Sequence, residues 1–413
     1  MFKRLTTIIS LSMVLLVCWL SVSCAPARSF DSQLGSIIEP YRFSITWWEF
    51  RAIPRELGRW ICGSKQTVDD KVGVVTGYFS LVERINALRS EIEAIGAGRA
   101  QGDSASLEAE LDRVEAERTA LDDTVARILE EQIREALAEQ GIFHPVDDYI
   151  KLRVNFPPVS FELEKPPYLL VVSPRERIET IREITLRLDI SLEGIEDIES
   201  QADKLGVSSL VVELGGLGAT YPSLVTNDAG LRFTIDAAAE EWVHQYLTFK
   251  PLGFRYLLHL AGLSRDYEVA TMDETLASMV SREIGSMVCE KYYPQCVTDS
   301  GEVTESDFDW EMREIRRAVD NYLAQGQVEQ AEAFMEQERQ YLASTGYDIR
   351  KLNQAYFAFH GQYADRPTSI SPIGSELKEL RGKYPSLRDF LNTVAVMRSH
   401  EDLMVALGEI RKE

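Results

Sequence analysis

Histidine and cysteine are scarce in this chain of 413 residues, with five of each. The cysteines show neither C-x-x-C spacing nor a nearby His, which excludes a zinc-cluster fold. Positive charge is also short. Lys and Arg number 44 against 66 Asp and Glu, a net charge of −22, and no basic stripe offsets the excess. That excludes nucleic acid as a partner, because phosphate binding needs concentrated Lys and Arg. No internal repeat is evident. Long apolar runs are missing beyond the N-terminus, so no later segment qualifies as a membrane span.

The N-terminus itself is informative. Lys3 and Arg4 precede an apolar stretch from Ile8 to Val22, and Ser21-Val22-Ser23-Cys24 follows. Basic, apolar and cleavage-like parts in that order form an export signal, the segment 1–24. Its end resembles a bacterial lipoprotein signal that would leave Cys24 lipidated, with Ser21 departing from the usual Leu. An uncleaved signal anchor and an ordinary secretory signal are the alternatives. The expected location is extracytoplasmic, attached to a bacterial membrane through the N-terminus. Cys289 and Cys296 bracket a short segment containing Pro294, so a local disulfide is feasible in an oxidising compartment. Cys62 would then be unpaired.

After a linker region at 25–76, Leu81, Ile85, Leu88, Ile92 and Ile95 alternate steps of four and three, a heptad seam. Gly96-Ala97-Gly98 to Gly102-Asp103 interrupts it. Leu107, Leu111, Val114, Leu121, Val125 and Ile128 resume it, with Arg118 at one core position. Two arms joined by a Gly-rich loop predict an antiparallel coiled-coil hairpin over 77–140. It is expected to act as a spacer, a partner-docking arm or a lid, or to pack on its own domain.

With 45% apolar residues, the remaining chain builds one or two ordinary cores. Residues 145–235 mix strand-like runs at 169–172 and 210–212 with a helix pattern at Glu176–Leu188. Residues 236–413 read as helix after helix, with breaks around 294–306 and 365–374. The expected class is α+β, mostly helical: a small α+β lobe and a helical lobe, as a zincin-like pair, with a site between them.

Chemistry concentrates in Glu240-Glu241-Trp242-Val243-His244 and Asp273-Glu274. Residues four apart on a helix share a face, so Glu240 and His244 can point at one ion. Glu241, rotated by about 100°, suits a base that takes a proton from water. Asp236 reads as the helix N-cap and Pro251-Leu252-Gly253 as its end. An E-x-x-H also occurs on ordinary amphipathic helices. A ferritin-like diiron site is disfavoured, because no other His follows a Glu at that spacing. His144, His259 and His400 lack ligand-like spacing.

Three blocks, AAEEWVHQYLTFKPLG (238–253), MDETLASMVSREIG (272–285) and LNQAYFAFHGQYAD (352–365), occur in this order. They resemble blocks of a poorly characterised family of membrane-anchored, metallopeptidase-like bacterial proteins of gluzincin type, whose first block reads approximately HEWxHHY. The likeness spans about residues 145–400. It implies Glu241 as base, His244 and Glu274 as ligands, and zinc as the ion. The departures are Glu240 for the first ligand His, Gln245 for its neighbour and Asp273 for the Asn before the third ligand. A carboxylate at 240 can hold zinc, yet it weakens the Lewis acid and shifts preference toward harder ions.

His360 and Tyr363 in the third block are candidate oxyanion donors; an aromatic face in the core is their other reading. The strand pattern Ser208–Leu214, ending in Gly215-Gly216-Leu217-Gly218, offers an edge for an extended peptide, or a plain strand-end turn. Tyr221-Pro222 argues against a nucleotide loop. The expected function is a metallopeptidase acting on peptides or envelope proteins. The alternative is a non-catalytic envelope protein that binds partners through the cleft or the hairpin.

Overall fold

The computed structural model describes residues 29–45, 48, 69–145, 153, 155–264, 266–297 and 306–410. Residues 1–24 with Cys18 and Cys24, Cys62, and half of the region 25–76 lie outside these residues. The chain is mostly helical with two small sheets. Among the described residues no helix is long and apolar enough to cross a membrane.

In chain order the elements begin with α1 (Phe30–Ile38), α2 (Lys71–Gly96), α3 (Ser104–Thr119) and α4 (Asp122–Glu139). The mixed region holds β1 (Phe161–Leu163), β2 (Tyr168–Pro174), β3 (Arg182–Leu186), α5 (Leu192–Asp203), β4 (Val207–Val212), β5 (Gly216–Leu217) and β6 (Ser223–Val225). Then come α6 (Leu231–Leu247), α7 (Pro251–Leu260), α8 (Tyr267–Tyr292), α9 (Pro294–Val297), α10 (Asp307–Ala324) and α11 (Val328–Ser344). The chain closes with α12 (Gln354–His360), α13 (Pro372–Arg381), α14 (Leu387–Ala395) and α15 (His400–Ile410).

Helices α6 and α8 form the centre. Asp266 caps α8 by accepting from the Val269 N–H, and from Val269 to Ser278 every residue of the helix is buried. A helix enclosed on all sides holds its polar groups away from water, so those groups need partners inside the protein. On α6, Ala237, Ala238, Trp242, Val243 and Tyr246 are buried, and the Trp242 indole N–H donates to the Pro157 carbonyl at 2.8 Å. Each large side chain so buried contributes about 1.5–3 kcal/mol before entropy. Cys289 and Cys296 are joined by a disulfide that ties the end of α8 to α9.

One sheet has the order β3-β2-β4, antiparallel throughout, with α5 and α12 packed on it. The other has the order β1-β6-β5, where β1 runs parallel and β5 antiparallel to β6.

Several expectations need correction. Glu176–Leu188 is not helical: Arg182–Leu186 is strand β3, paired along β2. Spacing of three among Ile178, Ile181 and Ile184 imitates a helix, but the exposed backbone of β2 is satisfied by a strand, and pairing overrides propensity. Helix α6 starts five residues before Asp236, capped at Gly230. Asp236 instead pairs with Arg232 at 2.8 Å within the helix. Pro251 opens α7 rather than closing α6.

The helical arms also divide differently. The second arm breaks at Ala120-Leu121 into α3 and α4. Val125, Ile128, Leu129 and Ile133 of α4 join the main core with α6 and α8, as do Val75, Tyr78 and Val82 of α2. Only Ile85, Leu88 and Val114, with Leu81, Leu107 and Leu111 around them, form a separate seam between α2 and α3. The segment 77–140 is therefore not an independent hairpin, and the main core runs from α2 to α15 across the expected domain boundaries. Arg118 is buried and tethers the arm by donating to the Asn227 carbonyl at 3.1 Å.

Candidate metal centre

One helical turn separates Glu240 from His244 on α6, and the same face meets Asp273 and Glu274 of the enclosed α8. One ligand atom each from Glu240, His244 and Glu274 lie within 4.8 Å of one another. The imidazole is clamped: Nδ1 lies 2.9 Å from Asp273 Oδ1, and Nε2 lies 3.4 Å from Glu274 Oε2. A carboxylate on Nδ1 fixes the ring orientation and leaves Nε2 to face the shared space. Asp273, which the sequence marked only as a departure, is thus the residue that aims His244.

Glu241 points elsewhere. A Cβ built on Gly216 would fall 2.2 Å from its Oε1, and one on Gly218 would fall 2.6 Å from Oε2. Strand β5 and the loop after it can lie against this carboxylate only because both positions lack a side chain. The Gly218 backbone N–H bonds the carboxylate. Gln245, one residue past His244, holds the same loop by donating to the Thr220 carbonyl at 3.0 Å and Ser223 Oγ at 2.9 Å. The strand beside α6 is therefore β5, at the edge of its sheet. Strand β4 is an edge of the other sheet, as expected, but it packs on α5 and α12 rather than beside α6.

Three further side chains close the site. The Tyr256 hydroxyl of α7 donates to Glu274 Oε1. The Tyr363 hydroxyl faces the same carboxylate from the segment after α12. Glu183 of β3 approaches Glu274 and accepts from Gln362 Nε2 at 3.3 Å. The Tyr363 segment is pinned to α8, because Thr275 Oγ1 donates to the Gln362 carbonyl at 3.1 Å and accepts from the Ala364 N–H at 3.0 Å.

Burial sets the electrostatics. It pushes Glu240 up to about 7, with Glu274 adding repulsion against the pull of His244. Burial lifts Glu241 to about 8, opposed by His244 and reinforced by Glu240 and Glu274. Burial and the Glu274 charge raise Glu183 to about 7. Asp273 is raised by burial in spite of its bond to His244. Glu274 is the exception: burial raises it, but the His244 charge and the donors around it win and hold it below the usual range. Burial would depress His244, yet Glu274 and Asp273 outweigh it and keep the ring cationic. Five carboxyls thus share one imidazolium, and Asp273 Oδ2 is buried without a hydrogen bond among the described residues. Burial favours the protonated forms of most of these carboxyls, and a cation in the pocket would favour the ionised forms instead.

His360 does not join this cluster. Its ring packs on Tyr356 at 4.3 Å and Phe359 at 5.2 Å, and it lines a neighbouring cleft. Burial among those rings and the Arg366 charge hold its pKa down at about 4, so it is neutral. The remaining histidines have local roles: His259 Nδ1 accepts from the Asp266 N–H at 3.1 Å, and His400 Nε2 meets Glu376 at 2.6 Å. The helical spacing on α6 made Glu240, Glu241 and His244 visible in the sequence. Tyr256 and Glu183 had no such signal, because each reaches the site from a separate element.

No protein-family model matches this chain, and no curated protein or solved structure matches it either.

Proposed function

We propose that Glu240, His244 and Glu274 hold a divalent cation in a hydrolytic centre acting on peptide bonds, as in a zincin-like metallopeptidase attached to a membrane by its N-terminus. The observation that carries this reading is the convergence of three ligand atoms within 4.8 Å, Glu274 buried and Glu240 and His244 partly buried, in a carboxylate-rich pocket. The donor set fits a cation. It offers one imidazole nitrogen already oriented by a carboxylate and two further carboxyl groups that a bound ion would hold ionised. The oxygen-rich set admits manganese or magnesium as well as zinc.

Bound there, such an ion supplies Lewis-acid polarisation of a carbonyl oxygen and acidifies water. The chain's own residues have separate tasks. Glu241, set apart from the three ligand atoms, is the base: in its ionised form, which a neighbouring cation favours, it accepts a proton from attacking water and returns it to the leaving amine. Tyr363 and Tyr256 keep their protons because burial and neighbouring carboxylates push both hydroxyls well above the usual phenol range. Tyr363, on whose ring Arg366 stacks, is the donor for a developing oxyanion. Strand β5 supplies an edge for an extended substrate.

The Glu240 carboxylate favours a second reading, a binding protein that retains the fold without catalysis. A one-His, two-Glu set neutralises the ion further and weakens its Lewis acidity. Metal analysis and zinc titration of the natural protein and of Glu240→His separate the readings. The natural protein should bind a divalent ion weakly, and the variant should bind zinc more tightly. Peptidase activity in both makes Glu240 a working ligand; activity in the variant alone marks a retired enzyme. Absence of zinc binding in both overturns the metal centre.

A further inference from the structure

A cleft of about 630 Å³ is lined in part by the same segments that carry the acidic cluster, though not by the cluster's own residues. Thr271 lines it from α8, one helical turn before Glu274, and Gly361 lines it two residues before Tyr363. Tyr267, Phe308, Met312, Tyr356 and Phe357 give it an aromatic and apolar wall, and polar residues including Glu268, Asp309 and Ser371 line the rest. The cationic groups around it are mostly committed. Arg316 donates to Asp320 at 3.0 Å and to the Phe357 carbonyl at 3.2 Å, and His400 is held by Glu376.

Arg366 is different. Its guanidinium stacks on the Tyr363 ring at 5.1 Å and makes no side-chain hydrogen bond among the described residues. It is exposed in the cleft, yet its charge is felt by Glu240, Asp236 and His360. An uncommitted guanidinium one tyrosine ring away from Glu274 stands at the border between cleft and cluster. Its planar fork matches a carboxylate, which it can bind through two parallel hydrogen bonds.

We propose that Arg366 captures the C-terminal carboxylate of a peptide, while the aromatic cleft takes the terminal apolar side chain. This rests on the hydrolytic reading above and narrows it to removal of one residue from the C-terminal end. One residue spans about 3.5 Å, so a carboxylate held at the border leaves the preceding peptide bond on the Tyr363 side, toward the cluster around Glu274. Hydrolysis there adds the oxygen of water to the acyl carbon and breaks the C–N bond. One water proton passes through Glu241 to the leaving nitrogen, and the products are a shortened peptide and a free amino acid. An acidic protein is ill suited to anionic substrates in general. Of the carboxylates that also line the cleft, Glu268 faces His400 and Asp309 is bonded by Ser306, so Arg366 makes its own border position the one that attracts an anionic chain end.

The test is binding of N-acetyl-Ala-Phe and of its C-terminal amide to the purified full-length protein, with zinc titration in parallel. The natural protein should bind the acid at least tenfold tighter than the amide. In Arg366→Met that preference should fall to within twofold while zinc binding is unchanged, and Arg366→Lys should keep part of it. Equal affinity for acid and amide, a preference that survives in Arg366→Met, or no binding of either peptide at millimolar concentration overturns the assignment. Failure of the metal centre registers separately in the zinc titration, since the acid–amide comparison does not depend on the ion.

Discussion

Asp273 Oδ1 sits 2.9 Å from His244 Nδ1, and this contact decides which nitrogen of the only histidine in the cluster is available to a ligand. The carboxylate is buried and comes from the most enclosed stretch of α8, so it orients the ring without moving itself. Asp273→Asn keeps an oxygen near Nδ1 but removes the charge that makes the imidazole a stronger donor. Divalent-ion affinity should fall by roughly 10–100-fold, read by calorimetric titration, with the circular dichroism spectrum unchanged. Unaltered affinity would leave Asp273 with a packing role only.

Gly216 and Gly218 are required by Glu241 rather than by backbone conformation. A methyl group at either position collides with the Glu241 carboxylate. Gly216→Ala should cost about 1–3 kcal/mol, the usual penalty of overpacking, measured by urea unfolding. Adding Glu241→Ala to it should recover most of that loss, because the colliding atoms are gone. A double variant no more stable than Gly216→Ala would locate the strain elsewhere.

The same example marks the limit of what the sequence discloses. Glu240, Glu241 and His244 were legible because a helix converts a spacing of four into a shared face. Glu274 was placed through resemblance and Tyr363 as a candidate oxyanion donor, and the structure brings both to the same pocket. The glycine run was readable as a turn or a peptide edge, but not as the room made for one particular glutamate. That depends on how β5 meets α6, a contact between segments that no local pattern encodes. Glu183 was hidden more deeply still, since its segment read as helix until the pairing with β2 made it a strand.

The buried carboxyls give the ion-free protein a defined pH response. Glu183 and Glu240 lie at about 7 and Glu241 at about 8, against an ordinary value of 4.5. With folded values above unfolded ones, the native state binds more protons across that interval, so stability falls as pH rises from about 4.5 to 8. His244, raised above 6.5, acts in the same direction, its contribution lost as pH rises through the folded value. Glu274, lowered, acts oppositely, its contribution being lost as pH falls below about 4.5. Melting temperature in chelator should therefore decline from pH 5 to pH 8. Saturating manganese or zinc should flatten or reverse the decline, because a cation favours the deprotonated carboxylates and binds only the folded state. A flat profile in chelator would contradict the burial of these groups.

The arm formed by α2 and α3 divides into a part that belongs to the core and a part that does not. Val75, Tyr78 and Val82 at the base of α2, and nearly the whole inner face of α4, pack into the main core. Asn86 donates to the Asp228 carbonyl at 2.8 Å and Arg118 to the Asn227 carbonyl at 3.1 Å, so both strands of the arm are fastened at one level. Beyond that level the apolar seam of Leu88, Leu107, Leu111 and Val114 is satisfied within the arm, flanked by the exposed pairs Arg84–Glu110 and Arg89–Glu115. Exposed pairs of this kind contribute little, and the seam touches nothing else in the main core. Replacing residues 88–112 with a short Gly/Ser linker should thus leave a cooperatively melting protein whose divalent-ion binding is unchanged. Replacing 79–138 should abolish cooperative melting, because it removes α4 from between β1 and α8. If the shorter replacement also unfolds the protein, the distal arm stabilises the core through its base, and the division at Asn86 and Arg118 is not where the folding unit ends.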